Sequence, residues 1–209
     1  MALKAILTEY LKSEGYAVRS GLFWKKINDE VIATIFPNNF RGFFASPVFG
    51  VTAVRVNKLI ITLQKDLPRA RGPWSVVSPE ISRVHVEHLK IQAGEKFDPG
   101  LLGSLYEDDR PEAMAEFQQA TLAKFAHEIE AYGQRFFGRL NSLEAIAAEI
   151  RSGGQIEVTS PLQYPALFAL LKDRDGYRWA VDWARTTQLL PQKMLESFLL
   201  RLDENFDAA

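Results

Sequence analysis

The residues in this chain best suited to chemistry are His85-Val86-Glu87-His88, two imidazoles flanking a carboxylate. Two histidines three apart share one face of a helix, whereas on a strand they point to opposite sides of the sheet. Val84 and Val86 alternate with Arg83, His85 and Glu87, which predicts a strand over about residues 82–91 and therefore separates the rings. A zinc centre would also need a third and usually a fourth ligand. The HExxH pattern is absent, and with no cysteine in the 209 residues no thiolate can supply one. The pair is expected to be two partly solvated histidines, with no metal.

Other acidic and histidine-bearing segments have simpler readings. Glu107-Asp108-Asp109 could serve acid-base or magnesium chemistry, but Asp109-Arg110-Pro111-Glu112 is a D-x-x-E cap, so the cluster is read as a helix start. Asp173-Arg174-Asp175-Gly176 opens like a calcium loop. Its glycine comes two positions early, and Ala184 stands where the bidentate glutamate belongs. His127 beside Glu128 has no serine or cysteine framed as a nucleophile, and neither G-x-S-x-G nor S-x-x-K occurs. Gly94-Glu95-Lys96 lacks the glycine loop of a phosphate cradle. No catalytic residue and no cofactor are therefore expected. Trp179 and Trp183, four apart on a predicted helix, invite a ligand-stacking role, but helix packing explains them more simply.

Charge gives a second line of argument. Residues 1–72 hold 11 Lys/Arg against 5 Asp/Glu, and residues 73–209 hold 14 against 21, so a net +6 precedes a net −7 within an overall −1. In the basic part, Arg41-Gly42-Phe43 opens like the aromatic ribonucleoprotein motif of RNA-recognition domains. Phe44, Ala45, Ser46 and Val48 then break that pattern. Phe40, Arg41, Phe43 and Phe44, flanked by Pro37 and Pro47, still have the composition of a binding loop, against the plainer reading of core phenylalanines. Lys25, Lys26 and Arg55 complete the candidate binding set.

The elements that must position these residues follow from periodicity. Leu3, Ile6, Leu7, Tyr10 and Leu11 predict a first helix over about 2–14, stopped by Gly15. Short runs at Tyr16–Val18, Leu22–Ile27, Val31–Phe36 and Val48–Val54 read as a strand meander, with Pro37-Asn38-Asn39 and Ser46-Pro47 as punctuation. Val56, Leu59, Ile60, Leu63 and Leu67 form an amphipathic helical stripe whose rival is a strand. Residues 68–79, rich in proline and glycine, read as a stiff connection. Beyond residue 109 the chain is helical, with Met114, Phe117, Leu122, Phe125, Ile129 and Tyr132 as one stripe. Starts are expected at Asn141-Ser142, Ser160-Pro161 and after Leu190-Pro191, and a stop at Gly153-Gly154. The expected fold is α+β: a mainly antiparallel sheet with an N-terminal helix over residues 1–104, then a helical part over 105–209 that packs on it.

The zero cysteine count favours a reducing compartment, and Lys4, Glu9 and Lys12 make the N-terminus a helix rather than a signal peptide. No window approaches the roughly 18 to 20 apolar residues of a membrane span, so a cytoplasmic chain with no membrane partner is expected. An initial helix, Gly15-Tyr16, the strand Phe23-Trp24-Lys25-Lys26, the apolar run Val31–Phe36 and Phe49-Gly50-Val51 together resemble an uncharacterised bacterial family of domains of unknown function. Arg139-Leu140-Asn141-Ser142-Leu143-Glu144 adds a second similarity. The resemblance implies an α+β fold with a helical C-terminal part and carries no catalytic residues. The reading that results is a non-enzymatic bacterial cytoplasmic protein with a protein partner, in the manner of immunity or accessory factors. The alternatives are nucleic-acid or anionic-ligand binding through the basic N-terminal part, and a hydrolase using a carboxylate and a histidine.

Overall fold

The computed structural model describes residues 3–19, 22–40, 43–64, 82–96, 111–153 and 160–207. It is an α+β fold whose five-stranded antiparallel sheet runs β1 (Ala17–Arg19), β2 (Leu22–Lys26), β3 (Val31–Phe40), β4 (Phe43–Ala53) and β5 (Ser82–His85), each strand beside its sequence neighbour. Helix α1 (Leu3–Ser13) precedes the sheet, and α2 (Val54–Gln64) follows β4 directly. The expected domain boundary at 104/105, the 68–79 connection and the Asp109 cap all lie outside the described residues.

Sequence punctuation accounts for much of this. Helix α1 ends where Gly15 takes φ of +83°, and the Tyr16 N–H reaches back to the Leu11 carbonyl at 2.9 Å. β1 and β2 pair as an antiparallel hairpin with Val18 opposite Phe23. Both proline signals, however, lie inside strands: β3 continues through Pro37-Asn38-Asn39, and β4 contains Ser46-Pro47. Proline's fixed φ is compatible with extended chain and removes only one ladder donor, so it need not end a strand. For residues 54–64 the helical stripe prevails over β propensity, with Val56, Ile60 and Leu63 buried on one side.

The strand expected over 82–91 is half right. β5 stops at His85, and Val86–Gln92 is helix α3. Only two valines supported the alternation, whereas Glu87 in the first turn, Lys90 in the last and Gly94 at φ of +83° form a complete set of helix signals. The Glu95 N–H closes the turn on the Lys90 carbonyl at 2.9 Å, so Gly94-Glu95 is a helix terminator.

By internal contacts the chain divides into two compact units, each assembled from separated segments. The first comprises residues 1–26, 33–50 and 84–139. In it α4 (Pro111–Glu128) passes into one π-helical stretch (Ile129–Gly133) and then α5 (Gln134–Arg139). Phe49, fully buried, meets Phe137 edge to face at 5.7 Å and Phe136 at 6.5 Å. Gly133 makes room for it, since a Cβ there would lie 3.0 Å from the Phe49 ring.

The second unit comprises residues 27–32, 51–83 and 140–209. Its centre is α7 (Gln163–Leu170), apolar on every side and buried from Gln163 to Ala169, as expected of a helix surrounded by others. Around it pack α2, α6 (Leu143–Arg151), α8 (Arg174–Thr186) and α9 (Gln192–Asp207). Ser142 caps α6 by accepting the Ala145 N–H at 3.1 Å, the role its sequence context predicted. The Arg201 guanidinium donates to the Leu63 carbonyl at 3.0 Å and so satisfies the end of α2.

Because Phe49 is fully buried and packs against the clustered rings of Phe136 and Phe137, it has little room to retreat from an added methyl group. Gly133→Ala is therefore expected to cost about 1–3 kcal/mol in urea unfolding. The exposed Leu200→Ala, in contrast, should stay within about 0.5 kcal/mol. A neutral Gly133→Ala would show that the close approach is not what selects glycine there.

Candidate binding cleft

The turn between α7 and α8 builds its geometry from one carboxylate. Lys172 takes the left-handed conformation (φ 54°) that ends α7, and the Asp173 N–H bonds the Phe168 carbonyl at 3.0 Å. Asp173 is also the N-cap of α8: its Oδ1 accepts the Gly176 N–H at 3.0 Å. Its Oδ2 accepts from Nη2 of Arg151 at the end of α6, and that guanidinium lies 5.2 Å over the buried ring of Phe168. The segment that resembled a calcium loop is thus a helix start tied to an arginine.

Arg151, Asp173, Asp175, Gly176 and Trp179 line a cleft of about 410 Å³. Glycine is required at 176, because a Cβ would collide with Phe168 Cδ1 and meet Arg151 Nη2 and Asp173 Oδ2 at 2.7 Å each. One wall continues into aromatic packing. Trp179 stacks on Trp183 at 6.4 Å and on Tyr164 at 6.2 Å, and meets Phe168 edge to face at 6.1 Å. Tyr164 lies 4.8 Å from Trp183 and is 4% exposed, and burial pushes its hydroxyl well above the ordinary tyrosine range. The two tryptophans therefore differ. Trp183 is half-buried against Tyr164, whereas Trp179 keeps 43% of its surface exposed at the cleft.

The histidine and carboxylate candidates sit in the first unit. His85 precedes α3 and His88 lies on it, which brings the rings to 6.1 Å rather than to opposite faces of a strand. Glu87, between them, turns to Lys90 at 3.2 Å, and Lys90 also pairs with Glu128. Lys90 and Glu128 are both buried, while His88 and His127 are exposed. Burial lowers the Lys90 pKa, but hydrogen bonds and charge from Glu128 and then Glu87 outweigh it and hold the ammonium above its ordinary range. Burial raises the Glu128 carboxyl, and Lys90 offsets that only in part. Both shifts favour retained protons, as expected of one ammonium between two carboxylates. Among the described residues no group of three or more His, Cys, Asp or Glu could hold a metal ion.

The basic-aromatic candidates fall in both units. Lys25 donates its ammonium to the Glu14 carbonyl at 2.8 Å and lies 5.5 Å over the Tyr16 ring, so it closes the end of α1. Lys26 is its exposed neighbour on β2. Arg55, in the second unit, approaches Glu30 at 3.4 Å. Phe40 ends β3, Phe43 and Phe44 begin β4, and Arg41 lies outside the described residues. The linear charge split does not map onto the two units: their described residues hold 10 Lys/Arg against 8 Asp/Glu and 10 against 11. No local sequence pattern joins Arg151 and Trp179 into one site. The available signal was the i, i+4 tryptophan pair, read as packing alone.

Gly176→Ala is expected to lower stability by about 1–3 kcal/mol in thermal unfolding, because an aromatic ring and an ion pair would have to move together. Unchanged stability would mean that the turn yields easily. Lys90→Met leaves Glu128 buried without its ammonium, at a cost of about 3–5 kcal/mol, most of which the double change with Glu128→Leu should restore. The raised Lys90 pKa also fixes a pH window. Its contribution is whole below the ordinary lysine value of 10.5 and is lost as pH rises through the raised value, so wild type should approach Lys90→Met there. Equal alkaline sensitivity in the two proteins would refute this.

Set against models of known families, curated proteins and solved structures, the chain matches none of them.

Proposed function

We propose that the chain is a non-enzymatic protein-binding module of the bacterial cytoplasm, in the manner of immunity or accessory factors, and that it engages its partner through the Trp179 cleft. The observation that carries this reading is an indole left 43% exposed at the end of an aromatic stack, beside a guanidinium held by Asp173 and Phe168. Tryptophan and arginine dominate the energetics of protein interfaces because each brings a large contact area together with directed polar groups. Contacts with Tyr164, Trp183 and Phe168 hold the Trp179 ring before a partner arrives, so association loses little rotamer freedom.

The remaining features agree with this reading. A chain without cysteine suits a reducing compartment. Among the described residues no helix is long and apolar enough to cross a membrane. The resemblance to a bacterial family supports the bacterial setting.

Affinity capture from the source cells, followed by native mass spectrometry, tests the proposal. Wild type and the surface control Lys58→Ala should retain the same protein. Trp179→Ala should bind it about 30-fold or more weakly, the loss of at least 2 kcal/mol that marks an interface hot spot. Failure to recover a protein partner, or equal capture by all three, would sink the reading.

A further inference from the structure

Resting on the protein-binding reading of the Trp179 cleft, we infer that its occupant is an arginine side chain of the partner, stacked on the exposed indole and paired with Asp175. Three observations point to that chemistry. The five lining residues include one guanidinium and two carboxylates, and the guanidinium is already committed to Asp173. The carboxylate that remains open is Asp175, whose side chain is 95% exposed and whose contact with Arg178 is 4.0 Å, at the outer limit of an ion pair.

Second, the indole and this carboxylate line the same cleft, so a planar cation finds an aromatic side chain and a fork-shaped acceptor together. A volume of about 410 Å³ lies within the range of small ligand sites and accommodates one side chain. Third, the cleft already contains the proposed arrangement once. The Arg151 guanidinium lies over Phe168 while pairing with Asp173, and the incoming arginine repeats that combination on Trp179 and Asp175. Lysine fits less well, because a point charge cannot stack and pair bidentately at once.

The same turn carries the exposed cations Arg174 and Arg178, along with Lys172, and these oppose a cationic ligand through the solvent. The inference is thus that stacking and direct pairing outweigh screened repulsion, and Arg178 becomes an internal competitor for Asp175.

The test is titration of the full chain, observed by NMR at assigned tryptophan indole and Gly176 resonances, with four short peptides that differ only in a central arginine, lysine, citrulline or glutamate. The arginine peptide should shift these resonances saturably and bind about 2- to 5-fold more tightly than the citrulline peptide, the range of an exposed cation–π contact. Asp175→Asn and Trp179→Ala should each remove that preference, and Arg178→Gln should strengthen arginine binding about 2-fold. Equal binding of arginine and citrulline, tighter binding of glutamate, or indifference to Asp175→Asn would overturn the assignment. If the arginine preference fails while Trp179→Ala still abolishes capture of the partner, the cleft remains a protein-binding site and only the identity of its occupant is wrong.

Discussion

The Asp173 carboxylate, with the backbone that carries it, fixes the ends of three helices. Its N–H closes α7 on Phe168, one oxygen opens α8 at Gly176, and the other holds the arginine that ends α6. A capping oxygen alone contributes about 1 kcal/mol. Here the same side chain also fixes a guanidinium over a buried ring, so the capping interaction and the cleft wall are one structure. Gly176 follows from this, because three groups converge where its Cβ would be. The exposure of Trp179 follows as well, since the ring lies one helical turn beyond Asp175 on a helix whose start is fixed.

Elements were legible in the sequence wherever a local signal coincided with a local requirement. Gly15 predicted a left-handed helix end, Ser142 a cap and Val56, Ile60 and Leu63 a buried helical face, and each depends only on residues within a turn or two. The α+β class followed from the succession of short apolar runs and then long periodic ones. Errors arose where a signal had two meanings. Proline at 37 and 47 suggests a break, but in extended chain it forfeits one donor and little else. The two alternating valines near 84 point to a strand, which would put the histidines on opposite faces, while residues 86–94 carry a complete set of helix signals.

The cleft was not legible, because its residues come from positions 151, 173, 175, 176 and 179, and no short-range pattern links an arginine at the end of one helix to an aspartate 22 residues later. The charge asymmetry failed for a related reason. Counting along the chain assumes that neighbours in sequence stay together, whereas each compact unit draws on early and late segments. Lys25 shows the local counterpart: its ammonium donates to the Glu14 carbonyl just past α1, a contact that no short-range pattern announces.

The π-helical stretch at Ile129–Gly133 sets the angular phase of everything that follows it on the same rod. A π turn accommodates one residue more than an α turn, and each helical residue advances by about 100°. A chain one residue shorter between Glu128 and Gln134 could run as a continuous α-helix with Phe136 and Phe137 in about the same phase, whereas the full-length segment wound entirely as α-helix would present them about a quarter turn away from Phe49. Gly133 would leave its place opposite the Phe49 ring in the same step. The winding of this segment is therefore constrained as well as its residues: conservative substitutions along α4 and α5 adjust packing, whereas a change from π to α winding at constant length changes which face of the helix is the core.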